Sequence, residues 1–319
     1  MTATRPPAIE ARGLRKAFGE LVVLDGVDVV VETGSVFALL GPNGAGKTTM
    51  IRILSTLIDA DGGTAAVVGH DVVAEADAVR ASIGVTGQFA ALDELLTGRE
   101  NLRLMADLNH LGRARGRARV DELLQRFELV DAADKPVSTF SGGMRRRLDL
   151  AMTLVGSPAV IFLDEPTTGL DPVSRRAMWD DIRTLAASGV TIFLTTQYLD
   201  EADQLAHAIA VLDRGRVVAQ GTATELKRQV AGGHVRLELA TPQARREAAE
   251  LLGATPAGED GIELRVATDG SVRALRALLD VLDDAGIEVE HLSVHTPDLD
   301  DVFFAVTGQP AEREPVGTP

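Results

Sequence analysis

The sequence predicts an α/β protein with two domains, a large one built around a parallel sheet and a small α+β domain after it. Short continuous apolar runs such as VFALL, AVIFL and VTIFL are typical of parallel strands that helices cover on both faces. The 319 residues, 45% of them hydrophobic, are too many for one small core. The composition changes near residue 230, where shorter strand and helix patterns begin to alternate.

The first predicted domain covers residues 8–230, the second covers residues 231–308, and residues 309–319 are predicted to be a disordered tail. Between residues 8 and 40, four apolar runs separated by turn residues are predicted as strands. Residues 97–130 are predicted to be helical and begin with TGRENL, which has the spacing of a capping box.

Two other segments complete the expected domain organisation. Within the helical region the basic run GRARGRARV is broken by glycine and is predicted to be an exposed loop. Residues 234–306 predict three strands and three helices in alternation, strand first.

The overall composition argues against several classes of function. A formal net charge of -15 repels phosphate backbones, so we expect no nucleic-acid partner. The chain has no cysteine, which excludes disulfides and thiol chemistry. No run of about 18 apolar residues predicts a membrane span, and no signal peptide is recognised at the N-terminus. If the protein works at a membrane, a partner must hold it there.

A glycine-rich stretch, GPNGAGKT at residues 41–48, follows the predicted strand VFALL and precedes a predicted helix. It matches the pattern G-x-x-x-x-G-K-[ST], in which backbone N–H groups and a helix N-terminus bind phosphate. Lys47 would contact the terminal phosphates, and the Thr48 hydroxyl would bind Mg²⁺. The residues predicted to bind the nucleotide here are Gly41, Pro42, Asn43, Gly44, Ala45, Gly46, Lys47, Thr48 and Thr49.

Two acidic residues, Asp164 and Glu165, end a predicted buried strand in VIFLDEP. Asp164 is predicted to hold Mg²⁺ through water, and Glu165 to orient or deprotonate the water that attacks the phosphate. A strand end of this kind is also compatible with a structural cap. The phosphate-binding loop upstream favours the catalytic interpretation.

A second anion site is predicted at FSGGMRRRLDLAM, residues 140–152. Ser141 is a natural N-cap, and Gly142 and Gly143 expose N–H groups at the start of a helix. A single nucleotide does not require two such sites in one chain, so each site would serve a different nucleotide.

These motifs together resemble those of ABC-transporter ATPases. SGGM is similar to the family signature and stands between motifs similar to Walker A, GPNGAGKT, and Walker B, VIFLDEP. The resemblance implies an ABC-type P-loop NTPase domain, with a RecA-like core, an antiparallel β subdomain and a helical subdomain. It also implies that Asp171 is the D-loop residue, that Gln88 is the Q-loop glutamine that reaches Mg²⁺, and that Phe18 stacks on adenine. An ordinary core position is the alternative for Phe18.

The resemblance further implies a head-to-tail homodimer. Each ATP would lie between the Walker motifs of one subunit and Ser141, Gly142 and Gly143 of the other. A separate multi-span permease would hold the dimer at the cytoplasmic face of the cell membrane.

Gln197 occupies the position of the family's switch residue, which is usually histidine. Glutamine still donates and accepts hydrogen bonds, but it cannot carry a positive charge. We therefore expect that ATP still closes the dimer while hydrolysis is slower or depends more on Glu165. A role as a loop spacer is the alternative for Gln197.

Several segments, among them TTQYLDEADQLAH and PDLDDVFFAVTG, resemble the daunorubicin/doxorubicin-resistance group of ATP-binding subunits. The implied function is ATP hydrolysis that energises export of a drug, antibiotic or lipid. Two alternatives remain: a nucleotide-dependent regulator with weak turnover, and an ABC ATPase that is not coupled to transport. Phe303 and Phe304 in the last predicted helix either pack on their own sheet or contact a partner. His234, His291 and His295 lack the spacing of a metal site.

Overall fold

The computed structural model describes residues 6–87, 91–230, 233–254, 261–268, 271–295 and 297–308. The described chain forms two compact units, which divide between Ala223 and Thr224. The strands of the first unit are β1 (Ile9–Phe18), β2 (Leu21–Val31), β3 (Val36–Leu40), β4 (Gly62–Val67), β5 (His70–Asp71), β6 (Ile83–Thr86), β7 (Val160–Asp164), β8 (Thr191–Thr196), β9 (Ala208–Asp213) and β10 (Arg216–Gly221). Its helices are α1 (Lys47–Leu54), α2 (Ala76–Ser82), α3 (Gly98–Leu108), α4 (Arg113–Arg126), α5 (Gly142–Thr153), α6 (Pro172–Ala187) and α7 (Leu199–Leu205).

The central sheet of the first unit has the strand order β10-β9-β3-β8-β7-β6. Strands β9, β3, β8, β7 and β6 are parallel, and β10 runs antiparallel to β9. Parallel neighbours require crossover connections, which here contain the helices. In the register Leu40 pairs with Thr196, and Asp164 pairs with Thr195. The carboxyl ends of β3, β7 and β8 therefore lie side by side at one edge, where ligands bind in open α/β sheets.

The predicted parallel strands are confirmed, and their apolar side chains form the core. Every residue of β3, β7 and β8 is buried. Phe193 stacks on Phe37 with ring centroids 5.4 Å apart and lies 5.7 Å from the ring of Phe162. Burial of each such side chain contributes about 1.5–3 kcal/mol, so this layer fixes the sheet edge that carries the site.

A second, antiparallel sheet has the order β2-β1-β4-β5. The prediction of two separate strands in LVVLDG and VDVVV is wrong, because both runs belong to β2. Leu14 pairs with Val27 and Arg15 pairs with Asp25, which leaves Gly26 as an extra residue between them. Gly26 has a φ of 75°, a conformation that glycine adopts without strain. The Asp-Gly pair thus makes a β-bulge and not a turn.

The helical region between β6 and β7 contains α3, α4 and α5. The capping box is confirmed: the Thr97 hydroxyl accepts a hydrogen bond from the backbone of Glu100, whose side chain bonds back to the Thr97 N–H. The loop predicted at GRARGRARV is wrong, because α4 begins at Arg113. A Cβ at Gly116 would lie 3.3 Å from Cβ of Ala106. Glycine here permits close packing of α4 on α3, and that packing outweighs its low helix propensity.

The second unit is built from the six elements that the sequence predicts between residues 234 and 306. Helix α8 (Ala223–Gln229) precedes them, and they are β11 (His234–Leu239), α9 (Pro242–Leu252), β12 (Glu263–Ala267), α10 (Val272–Asp284), β13 (Val289–His295) and α11 (Leu299–Thr307). The sheet is antiparallel with the order β12-β11-β13. In α11 Phe303 is buried and Phe304 is 57% exposed, so packing within the unit accounts for Phe303 and does not account for Phe304.

The domain limits predicted at residues 230 and 308 stay predictions, and the predicted tail at 309–319 lies outside the described residues. Among the residues that the structure describes, no helix is long and apolar enough to span a bilayer.

Candidate functional site

The loop between β3 and α1 has the shape that a phosphate group requires. A Cβ at Gly41 would lie 2.3 Å from the carbonyl oxygen of Leu212, so only glycine fits. Gly46 has a φ of 110°, and a Cβ there would lie 2.8 Å from the backbone of Val23. Among the described residues, no side chain caps the start of α1 and no acidic residue lies in its first turn. The N–H groups of this turn are therefore suited to an anion.

Lys47 places its charge inside this loop. Its ammonium group donates hydrogen bonds to the carbonyl oxygens of Gly41 at 2.8 Å and Pro42 at 3.1 Å. It also lies 3.4 Å from Oε1 of Glu165. Because Lys47 is only 5% exposed, its charge is weakly screened by solvent and interacts strongly with nearby anions.

Asp164, at the end of β7, connects the first turn of α1 with the end of β8. Its Oδ2 accepts a hydrogen bond of 2.8 Å from the hydroxyl of Thr48, and its Oδ1 accepts one from the hydroxyl of Thr195. The carboxylate is 4% exposed. The structure thus brings together the two residues, Thr48 and Asp164, that the sequence assigns to Mg²⁺.

Glu165 adopts an unusual backbone conformation directly after β7. Its φ is 49°, a value that costs free energy for a residue other than glycine and that concentrates at functional sites. Its N–H donates to the carbonyl of Thr195 at 3.1 Å and contacts the hydroxyl of that residue at 3.2 Å. These contacts fix the backbone of Glu165 beside β8 and hold its carboxylate near Lys47.

Gln197 follows β8, next to the ends of β3 and β7. Its Oε1 is inaccessible to solvent, and no donor within the described part of the chain reaches this atom. A buried amide oxygen without a partner costs free energy, so the position favours a ligand that donates a hydrogen bond. A loop spacer has no such requirement.

A buried acid, Glu201 in α7, connects the segment after β8 with the segment after Glu165. Its Oε1 accepts hydrogen bonds from the hydroxyl of Thr167 at 2.8 Å and from the indole of Trp179 at 3.3 Å. Burial raises the pKa of the Glu201 carboxyl, and the hydrogen bonds from Thr167 and Trp179 oppose this rise. Glu201 therefore holds the two segments together.

The second predicted anion site lies at the start of α5. The Ser141 hydroxyl accepts a hydrogen bond of 3.3 Å from the N–H of Met144, so the predicted N-cap is confirmed. A Cβ at Gly143 would lie 2.7 Å from the hydroxyl of Ser174, while a Cβ at Gly142 would meet nothing closer than Leu170 at 3.9 Å. Gly143 therefore allows α5 to approach the first turn of α6.

Asp171 caps α6 and so connects this region to Ser174. Its Oδ1 accepts hydrogen bonds of 2.9 Å from the N–H groups of Val173 and Ser174. The hydrogen bond from the Ser174 hydroxyl is the largest of the effects that lower the pKa of the Asp171 carboxyl. The sequence predicts nucleotide binding for Asp171, and the contacts give it a structural role as a helix cap.

Phe18 and Gln88 are two further residues that the sequence assigns to the nucleotide site. Phe18 is 49% exposed at the end of β1, and the ammonium group of Lys16 lies 5.5 Å from its ring centroid. The alternative of a core aromatic is therefore wrong, and stacking on adenine stays a prediction. Gln88, predicted as a Mg²⁺ ligand, lies outside the described residues.

Four further residues support this region and are not predicted from the sequence: Thr195, Glu201, Arg146 and Asp149. The hydroxyls in TTQ were visible as a cluster after an apolar run, but their hydrogen bond to Asp164 depends on strand register. Arg146 is one of three consecutive arginines, and nothing in the sequence shows which of them is buried.

The donor set fits a nucleotide with a magnesium ion. Mg²⁺ prefers oxygen ligands and is usually held by one or two carboxylates together with substrate phosphates, which agrees with Thr48 and Asp164. Among the residues that the structure describes, no group of three or more His, Asp or Glu side chains could hold a metal alone.

Comparison with known proteins gives the same result for both parts of the chain. Residues 24–168 match the model of the ABC transporter family, and residues 221–307 match that of the C-terminal domain of ATP-binding proteins like DrrA1-3. The chain is 50% identical over 303 residues to the daunorubicin resistance ATP-binding protein DrrA3 of Streptomyces coeruleorubidus, which covers 94% of this chain and 96% of that protein. It is 43% identical over 320 residues to the doxorubicin resistance ATP-binding protein DrrA of Mycobacterium tuberculosis, with 96% and 95% covered.

Solved structures agree with the fold. An ATP-binding subunit of an ABC transporter matches with a TM-score of 0.63 and 30% identity over 70% of this chain and 92% of that chain. A dimeric ATP-binding cassette in a post-hydrolysis state, bound to ADP and Pi, matches with a TM-score of 0.61 and 25% identity over 67% and 98%. With the phosphate loop, the acidic strand end and the capped glycine helix in one fold, the chain belongs to the ATP-binding proteins of the ABC transporter family.

Proposed function

We propose that this chain, an ATPase of the ABC transporter family, energises the efflux of a hydrophobic drug or antibiotic through a separate membrane permease. The observation that carries the proposal is the cluster at the edge of the central sheet, in which Thr48 bonds to Asp164 and Lys47 pairs with Glu165. The identity of 43–50% to drug-resistance ATP-binding proteins over nearly the whole chain supports the transport role.

In the proposed reaction the residues of this cluster bind ATP and activate the attacking water. The ammonium group of Lys47 and the N–H groups of the loop bind the phosphates. Thr48 and Asp164 would hold Mg²⁺, which would neutralise negative charge on the phosphates. Glu165 orients the attacking water and accepts its proton. The bond between the terminal phosphorus and the ADP oxygen breaks, which yields ADP and phosphate.

The proposed assembly is a head-to-tail dimer in which Ser141, Gly142 and Gly143 of one chain bind the nucleotide held by the other. The glycine-rich start of α5, capped by Ser141, and the existence of a dimeric relative bound to ADP and Pi support this arrangement. The proposed location is the cytoplasmic face of the cell membrane, where the permease holds the dimer.

The test is co-expression with a candidate multi-span permease, followed by measurement of anthracycline efflux from cells. Wild-type chain should lower intracellular drug and co-purify with the permease, and Glu165→Gln should co-purify but not lower the drug. Efflux that continues unchanged with Glu165→Gln would contradict the proposal. Co-purified wild-type chain that hydrolyses ATP in the permease complex but does not lower the drug would contradict the assignment of a drug or antibiotic as cargo.

A further inference from the structure

Arg146 lies in α5, one turn after the glycines, and its guanidinium is buried against the segments that carry the catalytic residues. Its Nε donates to the carbonyl oxygen of Pro166 at 2.8 Å, and its Nη2 donates to the carbonyl oxygen of Asp164 at 3.3 Å. These carbonyls stand immediately before and after Glu165. The side chain therefore binds the backbone on both sides of the residue proposed to activate water.

The same guanidinium reaches a second segment, together with Asp149 from the next turn of α5. Nη1 of Arg146 donates to the carbonyl oxygen of Gly87 at 3.0 Å and to Oδ2 of Asp149 at 3.3 Å. Oδ1 of Asp149 accepts a hydrogen bond of 3.2 Å from the N–H of Ala91. One side-chain pair on α5 thus contacts the segments that end β6 and β7.

Burial makes this arrangement costly, which indicates a geometric role. Arg146 is 8% exposed and Asp149 is 4% exposed. Burial raises the pKa of the Asp149 carboxyl to about 6, although Arg146 opposes the rise. A buried ion pair contributes little net stability compared with an apolar pair. The planar guanidinium can, however, direct several N–H groups at fixed acceptors, which an ammonium group cannot do in the same way.

We propose that Arg146 is a positioning residue that couples the two nucleotide sites of the dimer. This inference rests on the proposed head-to-tail assembly. In that assembly the first turn of α5 binds the nucleotide of the partner chain, while Arg146, one turn further along the same helix, holds the backbone around its own Glu165. A helix moves as a rigid element over one turn, so nucleotide bound at one site sets the position of Glu165 at the other.

Loss of this contact should have a specific kinetic signature. The contacts of Lys47 and Thr48 with the nucleotide do not involve Arg146, so intrinsic nucleotide affinity should be kept. A displacement of about 1 Å at the reacting group can lower a rate about 100-fold. We therefore expect Arg146→Lys to lower kcat by about 10- to 100-fold and to reduce the Hill coefficient for ATP towards 1.

The matched control is Arg147→Lys. Arg147 is the next residue of α5, and it contacts Glu128 and Asp181 at 3.1 and 3.5 Å, both of which are carboxylates that a lysine can also bind. We expect kcat and the Hill coefficient of this variant to equal those of wild type. ADP affinity, measured by isothermal titration calorimetry, should change by less than about 2-fold in either variant.

The proposal is overturned if Arg146→Lys keeps both the wild-type kcat and the wild-type Hill coefficient, or if Arg147→Lys loses them equally. If Arg146→Lys does not fold, Asp149→Asn removes the charge that holds the guanidinium, and it should lower the Hill coefficient in the folded protein; an unchanged coefficient overturns the proposal. Dimerisation of Glu165→Gln with ATP and Mg²⁺ distinguishes a failure of the proposed coupling from a failure of the proposed dimer. A chain that dimerises while Arg146→Lys has no effect refutes the coupling alone, and a chain that never dimerises refutes the assembly.

Discussion

The ammonium nitrogen of Lys47 lies 3.4 Å from Oε1 of Glu165, and their side chains are only 5% and 10% exposed. The group proposed to bind phosphate is thus paired with the group proposed to activate water. Phosphate oxygens that approach Lys47 must compete with this carboxylate. Nucleotide binding and the position of Glu165 are therefore linked through one buried ion pair.

This pairing predicts opposite effects of two substitutions on nucleotide affinity. Glu165→Gln removes the competing charge, so we expect the Kd for ATP to fall by a few-fold. Lys47→Met removes the charge-assisted contact, which is worth about 1.5–3 kcal/mol, so we expect the Kd to rise by at least about 10-fold. Both values should be measured with a fluorescent nucleotide at chain concentrations at which the protein stays monomeric. Equal affinities for the two variants would contradict the linkage between nucleotide binding and the Lys47–Glu165 ion pair.

The glycines at the start of α5 provide a second prediction, because they face different surroundings. Gly143→Ala places a methyl group 2.7 Å from the hydroxyl of Ser174, and overpacking of this kind costs about 1–3 kcal/mol. Gly142→Ala meets only Leu170 at 3.9 Å, and alanine stabilises a helix relative to glycine by up to about 1 kcal/mol. Urea unfolding followed by fluorescence of Trp179, the single tryptophan, measures both. Equal stabilities of the two variants would refute the close approach of α5 and α6.

Gln197 provides a third prediction, on the rate of hydrolysis. Its buried amide oxygen has no donor within the described part of the chain, and glutamine carries no charge. Charge-assisted hydrogen bonds are about twice as strong as neutral ones, so Gln197→His should raise kcat by a few-fold and leave the Kd for ADP unchanged. Gln197→Ala, as the control, should lower kcat. A sharp fall in the steady-state rate of Gln197→His would show that the site is adapted to glutamine.

A fourth prediction concerns pH. The pKa of Asp149 is raised to about 6, mainly by burial, so the folded protein keeps this proton at pH values where the unfolded chain has lost it. A raised carboxyl pKa stabilises the fold fully below about pH 4, and this stabilisation is lost as the pH rises to about 6. The free energy of unfolding of wild type minus that of Asp149→Asn should therefore fall between pH 4.5 and pH 6.5. The difference should be on the order of 1–3 kcal/mol and should be flat above pH 7. A difference that rises with pH would contradict a raised pKa.

Much of the fold and the site could be predicted because the signals are local. The run VFALL and the loop at residues 41–48 carry their own geometry, and the cap at Ser141 depends only on residues within one turn. The predictions are wrong where packing between elements determines the local structure. The pair Asp25-Gly26 predicts a turn, but the pairing of β1 with β2 places it in a β-bulge. Gly116 predicts a helix break, but the packing of α4 on α3 keeps it within a helix.

The supporting residues could not be predicted for the same reason. Thr195 reaches Asp164 only because β7 and β8 pair in a particular register. Arg146 differs from Arg145 and Arg147 only in the direction it takes from α5, which tertiary structure sets.

The most direct test of the central claim is the mass of the Glu165→Gln chain in solution with ATP and Mg²⁺. In the proposed dimer, one nucleotide is bound by the helix start after Gly46 of one chain and the helix start after Ser141 of the other. Slowed hydrolysis in Glu165→Gln should trap this dimer. Light scattering after size exclusion should give twice the 33.7 kDa mass of one chain with ATP, and the single mass with ADP or after Ser141→Arg. A single mass under all conditions, with ATP bound, would contradict the account.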